Sequence, residues 1–156
     1  MSSLIHISEK AHLTPSPSGE SERLVGKFIQ QHNIPRSRIV ILTKCFFGVV
    51  EGKNKDKHDP DSVNQHGLSR KHIFDAIDGS LERLGVKYVD VLQIHRLDQT
   101  VLQEEIMRAL NDVVESGKAR YIGASSMCAW EFASLQHVAD KNGWHKFIAM
   151  QVCPCG

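Results

Sequence analysis

Tyr88-Val89-Asp90-Val91-Leu92-Gln93-Ile94, then Leu102, Ile106, Ala109, Leu110, Val113 and Val114, then Arg120-Tyr121-Ile122-Gly123-Ala124, is the stretch that decides the fold. The first run is short, apolar and β-branched, as in a strand buried on both faces. The spaced residues after it recur at helical intervals and stop at Gly117. The third run is again a strand. A strand, a helix and a strand this closely linked predict parallel strands joined by a right-handed crossover.

The same rhythm extends outward in both directions. Before this stretch, Leu24, Val25, Phe28 and Ile29 have helical spacing, and Asn33-Ile34-Pro35 ends that helix. Ile39-Val40-Ile41-Leu42 predicts another buried strand. Ser69 can cap a helix whose apolar face is Ile73, Phe74, Ile77, Leu81 and Leu84, closed by Gly85. After the stretch, Trp130, Ala133, Leu135, Val138 and Ala139 mark a helix stopped by Gly143, and Phe147-Ile148-Ala149-Met150 predicts a last strand. The fold class is therefore α/β, with about four βα units. Such units fit a flavodoxin-like open sheet or part of a closed barrel, and periodicity does not choose between them. No Gly-x-Gly-x-x-Gly follows any strand, so a Rossmann dinucleotide fingerprint is missing.

The remaining segments are polar or turn-rich. Thr14-Pro15-Ser16-Pro17-Ser18-Gly19 suits neither a helix nor a central strand. Residues 1–18 are expected to be a poorly ordered leader, 19–151 the folded part and 152–156 a tail. Residues 48–67 read as a long polar loop. The whole chain of 156 residues suits one domain. With 41% hydrophobic and 24% charged residues it has the balance of a soluble globular protein. A formal net charge of +1 gives no reason to expect nucleic acid or an anionic membrane. No apolar run approaches the ~20 residues of a membrane span. With no signal peptide in view, the expected location is cytoplasmic. Cys45, Cys128, Cys153 and Cys155 lack the paired spacing of a zinc site, so no metal is expected.

Chemistry in α/β sheets and barrels sits at the C-terminal ends of the strands. There the predicted strands deliver Thr43-Lys44, Gln93-Ile94-His95-Arg96, Ser125-Ser126 and Gln151. Taken alone, Lys44 reads as a snorkelling strand-end lysine and His95 as a hydrogen-bonded core histidine. Ser125-Ser126 read as a helix cap, and Gln151 as a backbone partner. Their convergence on one end points to a site.

These residues, in this order, resemble the NADP(H)-dependent aldo-keto reductases. The resemblance runs through Gly19-Glu20-Ser21-Glu22, Leu24-Val25-Gly26 and Ile41-Leu42-Thr43-Lys44. It continues through Ser80-Leu81-Glu82-Arg83-Leu84-Gly85, Ile94-His95, Gly117 to Ser126, and Gln151. The chain looks closest to fungal members similar to aryl-alcohol dehydrogenases and versiconal hemiacetal acetate reductase. The resemblance implies a partial (β/α)8 TIM barrel, family strands three to six. It also implies hydride exchange between NADP(H) and a small-molecule carbonyl or alcohol.

The same resemblance carries roles to individual positions. Lys44 matches the lysine that lowers a catalytic tyrosine's pKa, and His95 the histidine that orients the carbonyl. Ser125, Ser126 and Gln151 fall where the nicotinamide carboxamide is held, while Asp90 matches a structural acid. The family's tyrosine position falls on Ser16 and its aspartate position on Ala11. The chain is expected to be truncated at both ends and to self-associate through strand edges at 39–44 and 147–152. The alternatives to a working reductase are a catalytically inactive remnant without the tyrosine and the aspartate, and a non-catalytic binding or regulatory module.

Overall fold

The computed structural model describes residues 3–6, 19–49 and 64–151; the leader's other residues, most of the polar loop and the tail lie outside the described residues. Five parallel strands form one sheet: β1 (Ser3–His6), β2 (Ile39–Cys45), β3 (Val89–Ile94), β4 (Ala119–Ser125) and β5 (Phe147–Gln151). Helices α1 (Glu20–Gln31), α2 (Arg70–Leu84), α3 (Gln103–Glu115) and α4 (Ala129–Asn142) alternate with them. Four of the strands and all four helices stand where the apolar periodicity puts them. Ser69 caps α2, its hydroxyl accepting from His72 N–H at 3.3 Å.

The sheet order is β1-β2-β3-β4-β5, with no reversal. A doubly wound sheet has a switch point where its strand order turns back. Its absence here decides for the singly wound arrangement of a barrel. α1 packs on α2, α2 on α3 and α3 on α4, making one continuous outer layer. Between that layer and the sheet lie Ile41, Leu92, Ile94 and Ile122 from the strands, and Ile73, Ile77, Ile106, Leu110 and Leu135 from the helices. None of these is more than 1% exposed.

Two features differ from the sequence expectation. Ser3–His6, placed there in a poorly ordered leader, form a strand in parallel register with Ile39–Leu42. The edge expected at 39–44 is therefore covered by β1. Apolar spacing also overstates three helix faces: Leu102, counted with the face of α3, is its N-cap and 75% exposed. In α1, Val25 and Ile29 pack on the core while Leu24 and Phe28 face outward; in α4, Trp130 is 65% exposed. No helix among the described residues is long and apolar enough to cross a membrane.

One buried carboxylate ties the N-terminal half together. Glu22 on α1 is 7% exposed. Its Oε1 accepts from Thr43 Oγ1 at 2.5 Å and its Oε2 from Arg83 Nε at 2.6 Å, joining α1, β2 and α2. Beside it, Gly26 lets α1 and α2 touch: a Cβ there would stand 2.6 Å from the Leu84 carbonyl oxygen. Removing one partner of a buried ion pair strands the other charge, at about 3–5 kcal/mol, whereas replacing both by apolar groups is often neutral. Arg83→Met should lower the unfolding free energy by about that amount in urea denaturation, and Glu22→Met/Arg83→Met should recover most of it. Equal losses in the single and double variants would show that the pair does not work as a unit.

Candidate active site

Parallel register carries the strand-end residues to one height and one face. Lys44 pairs with Gln93, Gln93 with Gly123, and Ser125 with Gln151. Side chains alternate along each strand. Ile41, Thr43 and Cys45 point toward the helix layer, so Lys44 points to the opposite, inner face; Gln93, His95, Ser125 and Gln151 share that face by the same count. Two bonds past the ladder lock this end: His95 N–H donates to the Cys45 carbonyl at 3.0 Å, and Ser126 N–H to the Gln151 carbonyl at 3.1 Å. All five residues expected at the site are thus brought to one end of the sheet.

Burial and the positive charges of Lys44 and Arg96 push the His95 imidazole down from 6.5 to about 4. The ring is neutral at physiological pH, and can offer an N–H or a lone pair to a ligand oxygen without charge. Cys45, at the same strand end, faces the core, and burial raises its thiol to about 12. It is therefore inert as a nucleophile. Ser125 is buried, and its hydroxyl lies 3.3 Å from that of Ser126. Ser126 has φ 48°, a left-handed conformation uncommon for serine. Such strain gathers where a site fixes the backbone.

The structure adds a rim that strand-end reading does not select. Phe46 and Phe47 follow Cys45 at the end of β2, and the Phe47 ring meets His95 edge-on at 5.1 Å. Arg96 lies over both rings, 5.8 and 5.4 Å from their centres. His66 closes against Phe46 at 4.8 Å. Asp98 fastens this segment: its carboxylate accepts from Leu68 N–H at 2.8 Å and from the Thr100 hydroxyl at 2.6 Å. Burial raises the Asp98 pKa, but the hydrogen bonds from Thr100 and Leu68 outweigh it and hold the group below its ordinary value. The signal available in sequence was the aromatic pair Phe46-Phe47, two and three residues after Lys44.

At the other end of the sheet, Asp90 accepts from Arg36 and from Ile41 N–H, and Arg36 and Arg120 lie over the Tyr88 ring at 4.1 and 4.0 Å. Asp90 is a scaffold residue, as its resemblance implies. Among the described residues no group of three or more His, Cys, Asp or Glu side chains can hold a metal ion.

Residues 17–153 match the family model described as "Aldo/keto reductase family". The chain belongs to the aldo/keto reductase family. The aldo-keto reductase relatives include versiconal hemiacetal acetate reductase of Aspergillus parasiticus, 62% identical over 140 residues, which span 85% of this chain and 40% of that protein. A putative aryl-alcohol dehydrogenase of Schizosaccharomyces pombe is 59% identical over 145 residues, 86% of this chain and 41% of that protein. An aldo-keto reductase of Alternaria alternata is 48% identical over 152 residues, with 86% and 40% covered. The chain spans about two-fifths of the length of these relatives. Its parallel sheet with alternating helices is part of the aldo-keto reductase (β/α)8 barrel.

The lowered His95 value makes a pH prediction. Between pH 6.5 and 4 the unfolded chain takes up a proton at this ring that the folded chain refuses. The stability contributed by His95 is complete above pH 6.5 and lost as pH falls toward 4, by at most about 3 kcal/mol and less where solvent screens the ring. His72, also lowered by burial, acts in the same direction. His95→Gln should flatten the acid limb of a stability–pH curve; an unchanged slope would show that His95 titrates normally.

Proposed function

We propose that this chain carries the carbonyl-handling part of an NADP(H)-dependent reductase of aldehydes and ketones, equally able to act as a dehydrogenase of aryl alcohols. The observation that carries the reading is a neutral histidine beside a lysine on the inner face, at the C-terminal ends of adjacent parallel strands. His95 would orient the substrate carbonyl through a hydrogen bond to its oxygen. Lys44 would stabilise negative charge developing there, as a preorganised cation in a partly desolvated site. Phe47, 40% exposed, offers a flat apolar wall beside His95, which suits an aromatic substrate.

NADP(H) supplies or accepts the hydride when bound. Ser125, Ser126 and Gln151 would hold its nicotinamide amide. The residues present fit that group: Gln151 Oε1 is buried without a hydrogen-bond donor, and the Ser125 hydroxyl stands on the neighbouring strand in register. Similarity to a versiconal hemiacetal acetate reductase and to a putative aryl-alcohol dehydrogenase supports a small carbonyl or an aryl alcohol as substrate, and a cytoplasmic setting suits NADP(H) chemistry. The outer edge of β5 has no strand partner among the described residues, which supports self-association through that edge.

A second reading is favoured by one sequence observation. The resemblance puts Ser16 at the tyrosine position, and a serine hydroxyl is far less acidic than a phenol with pKa ~10. A chain without that acid binds and orients a carbonyl yet reduces it feebly, since general acid catalysis contributes about 10²–10⁴-fold.

Single-turnover transfer of deuterium from labelled NADPH to an aromatic aldehyde, read by mass spectrometry, separates the two. Under the first reading the product is labelled, and Lys44→Met and His95→Leu each slow its formation at least about tenfold. NADPH binding with no labelled product would establish the second reading. Labelled product at rates indifferent to both substitutions would remove Lys44 and His95 from the mechanism.

A further inference from the structure

The polar groups at this end of the sheet are not all spent on one another. Gln93 Oε1 and Gln151 Oε1 are both sealed from water, and neither accepts a hydrogen bond. Gln93 is 2% exposed. A buried amide carbonyl without a donor is costly, and native proteins seldom keep one without a ligand, a water or a function to account for it.

Its placement is built. Gln93 stands in register between Lys44 on β2 and Gly123 on β4. A Cβ on Gly123 would lie 2.9 Å from Gln93 Cγ and 3.3 Å from its Nε2, so the glycine opens the space through which the Gln93 amide lies across β4. Two residues further along β4, on the same face, is the Ser125 hydroxyl, 2% exposed and paired in register with Gln151. Two unpaired carbonyl acceptors therefore flank a buried hydroxyl. An apolar ligand would leave both unmet, and a carboxylate would face them with lone pairs. A primary carboxamide presents two N–H donors and one acceptor oxygen, which matches two carbonyls and a hydroxyl.

We propose that Gln93 is a further ligand-binding residue of this site, its side-chain carbonyl accepting an N–H of the ligand's primary carboxamide alongside Ser125 and Gln151. The proposal rests on the reading of these strand ends as the nicotinamide site, and adds to it a residue one strand closer to Lys44.

The test compares NADPH with its reduced 3-acetylpyridine analogue, in which a methyl ketone replaces the carboxamide and no N–H remains. Dissociation constants are measured by fluorescence and calorimetry on the full chain and on Gln93→Met, an apolar variant of similar shape. The wild-type chain should prefer NADPH about tenfold or more, and Gln93→Met should weaken NADPH about tenfold while changing analogue affinity less than about twofold. The unliganded variant should melt at the same or a higher temperature, because an unmet buried carbonyl has been removed. Equal weakening of both dinucleotides, weakening of neither, or a lower melting temperature would overturn the role of Gln93 and leave the nicotinamide reading standing. Failure of the wild-type chain to bind either dinucleotide would overturn the nicotinamide reading, and this proposal with it.

Discussion

Glu22 holds a carboxylate out of water, and its two hydrogen bonds come from different elements, Thr43 on β2 and Arg83 on α2. A buried charge accepts few alternative arrangements, because each lost partner leaves an uncompensated ion. The pair therefore fixes how α1 and α2 sit on the sheet, and Gly26 allows the close approach this requires. It also reaches the site. Thr43 is held toward the helix layer by Glu22, and alternation then sends Lys44 to the opposite face. The Lys44 charge, which adds to burial in depressing His95, is placed, one residue away, by an ion pair on the far side of the sheet.

The two ends of the sheet are built to different purposes. At the N-terminal end, Arg36, Asp90, Tyr88 and Arg120 engage one another through hydrogen bonds and ring stacking, with Arg36 Nε left without a partner. At the C-terminal end, a neutral histidine, a left-handed serine and unmet glutamine carbonyls remain. Two unmet carbonyls and a left-handed serine gathered at the C-terminal end fit a barrel in which binding sits at that mouth.

Much of this was legible in the sequence. Short apolar runs such as Ile39–Leu42, bounded by turn residues, read as strands, although Val40 and Leu42 prove only partly buried, and Ser69 and Gly85 mark the ends of α2 through capping chemistry that depends on few neighbours. Lys44, His95, Ser125, Ser126 and Gln151 were legible as strand-end residues. Strand order was not, since four βα units have the same local pattern in a barrel and in a doubly wound sheet. Ser3–His6 escaped because four residues carry too little periodicity beside a proline-rich stretch, and pairing with Ile39–Leu42 is a long-range choice. Trp130 misled because apolar spacing does not say which side of a helix the sheet will cover. Gln93 stands among the strand-end residues in the sequence, but only register sets it between Lys44 and Gly123.

The central claim is that ligand binding belongs to the C-terminal ends of these strands and to no other surface. The most direct measurement is a backbone ¹H–¹⁵N spectrum of the chain titrated with NADPH. The account predicts saturable shifts confined to the residues around Lys44, His95, Ser125, Ser126 and Gln151, with Asp90 and the outward face of α1 unmoved. Shifts centred on Leu24 and Phe28 on the outward face of α1, or on the Asp90 end of the sheet, would contradict it.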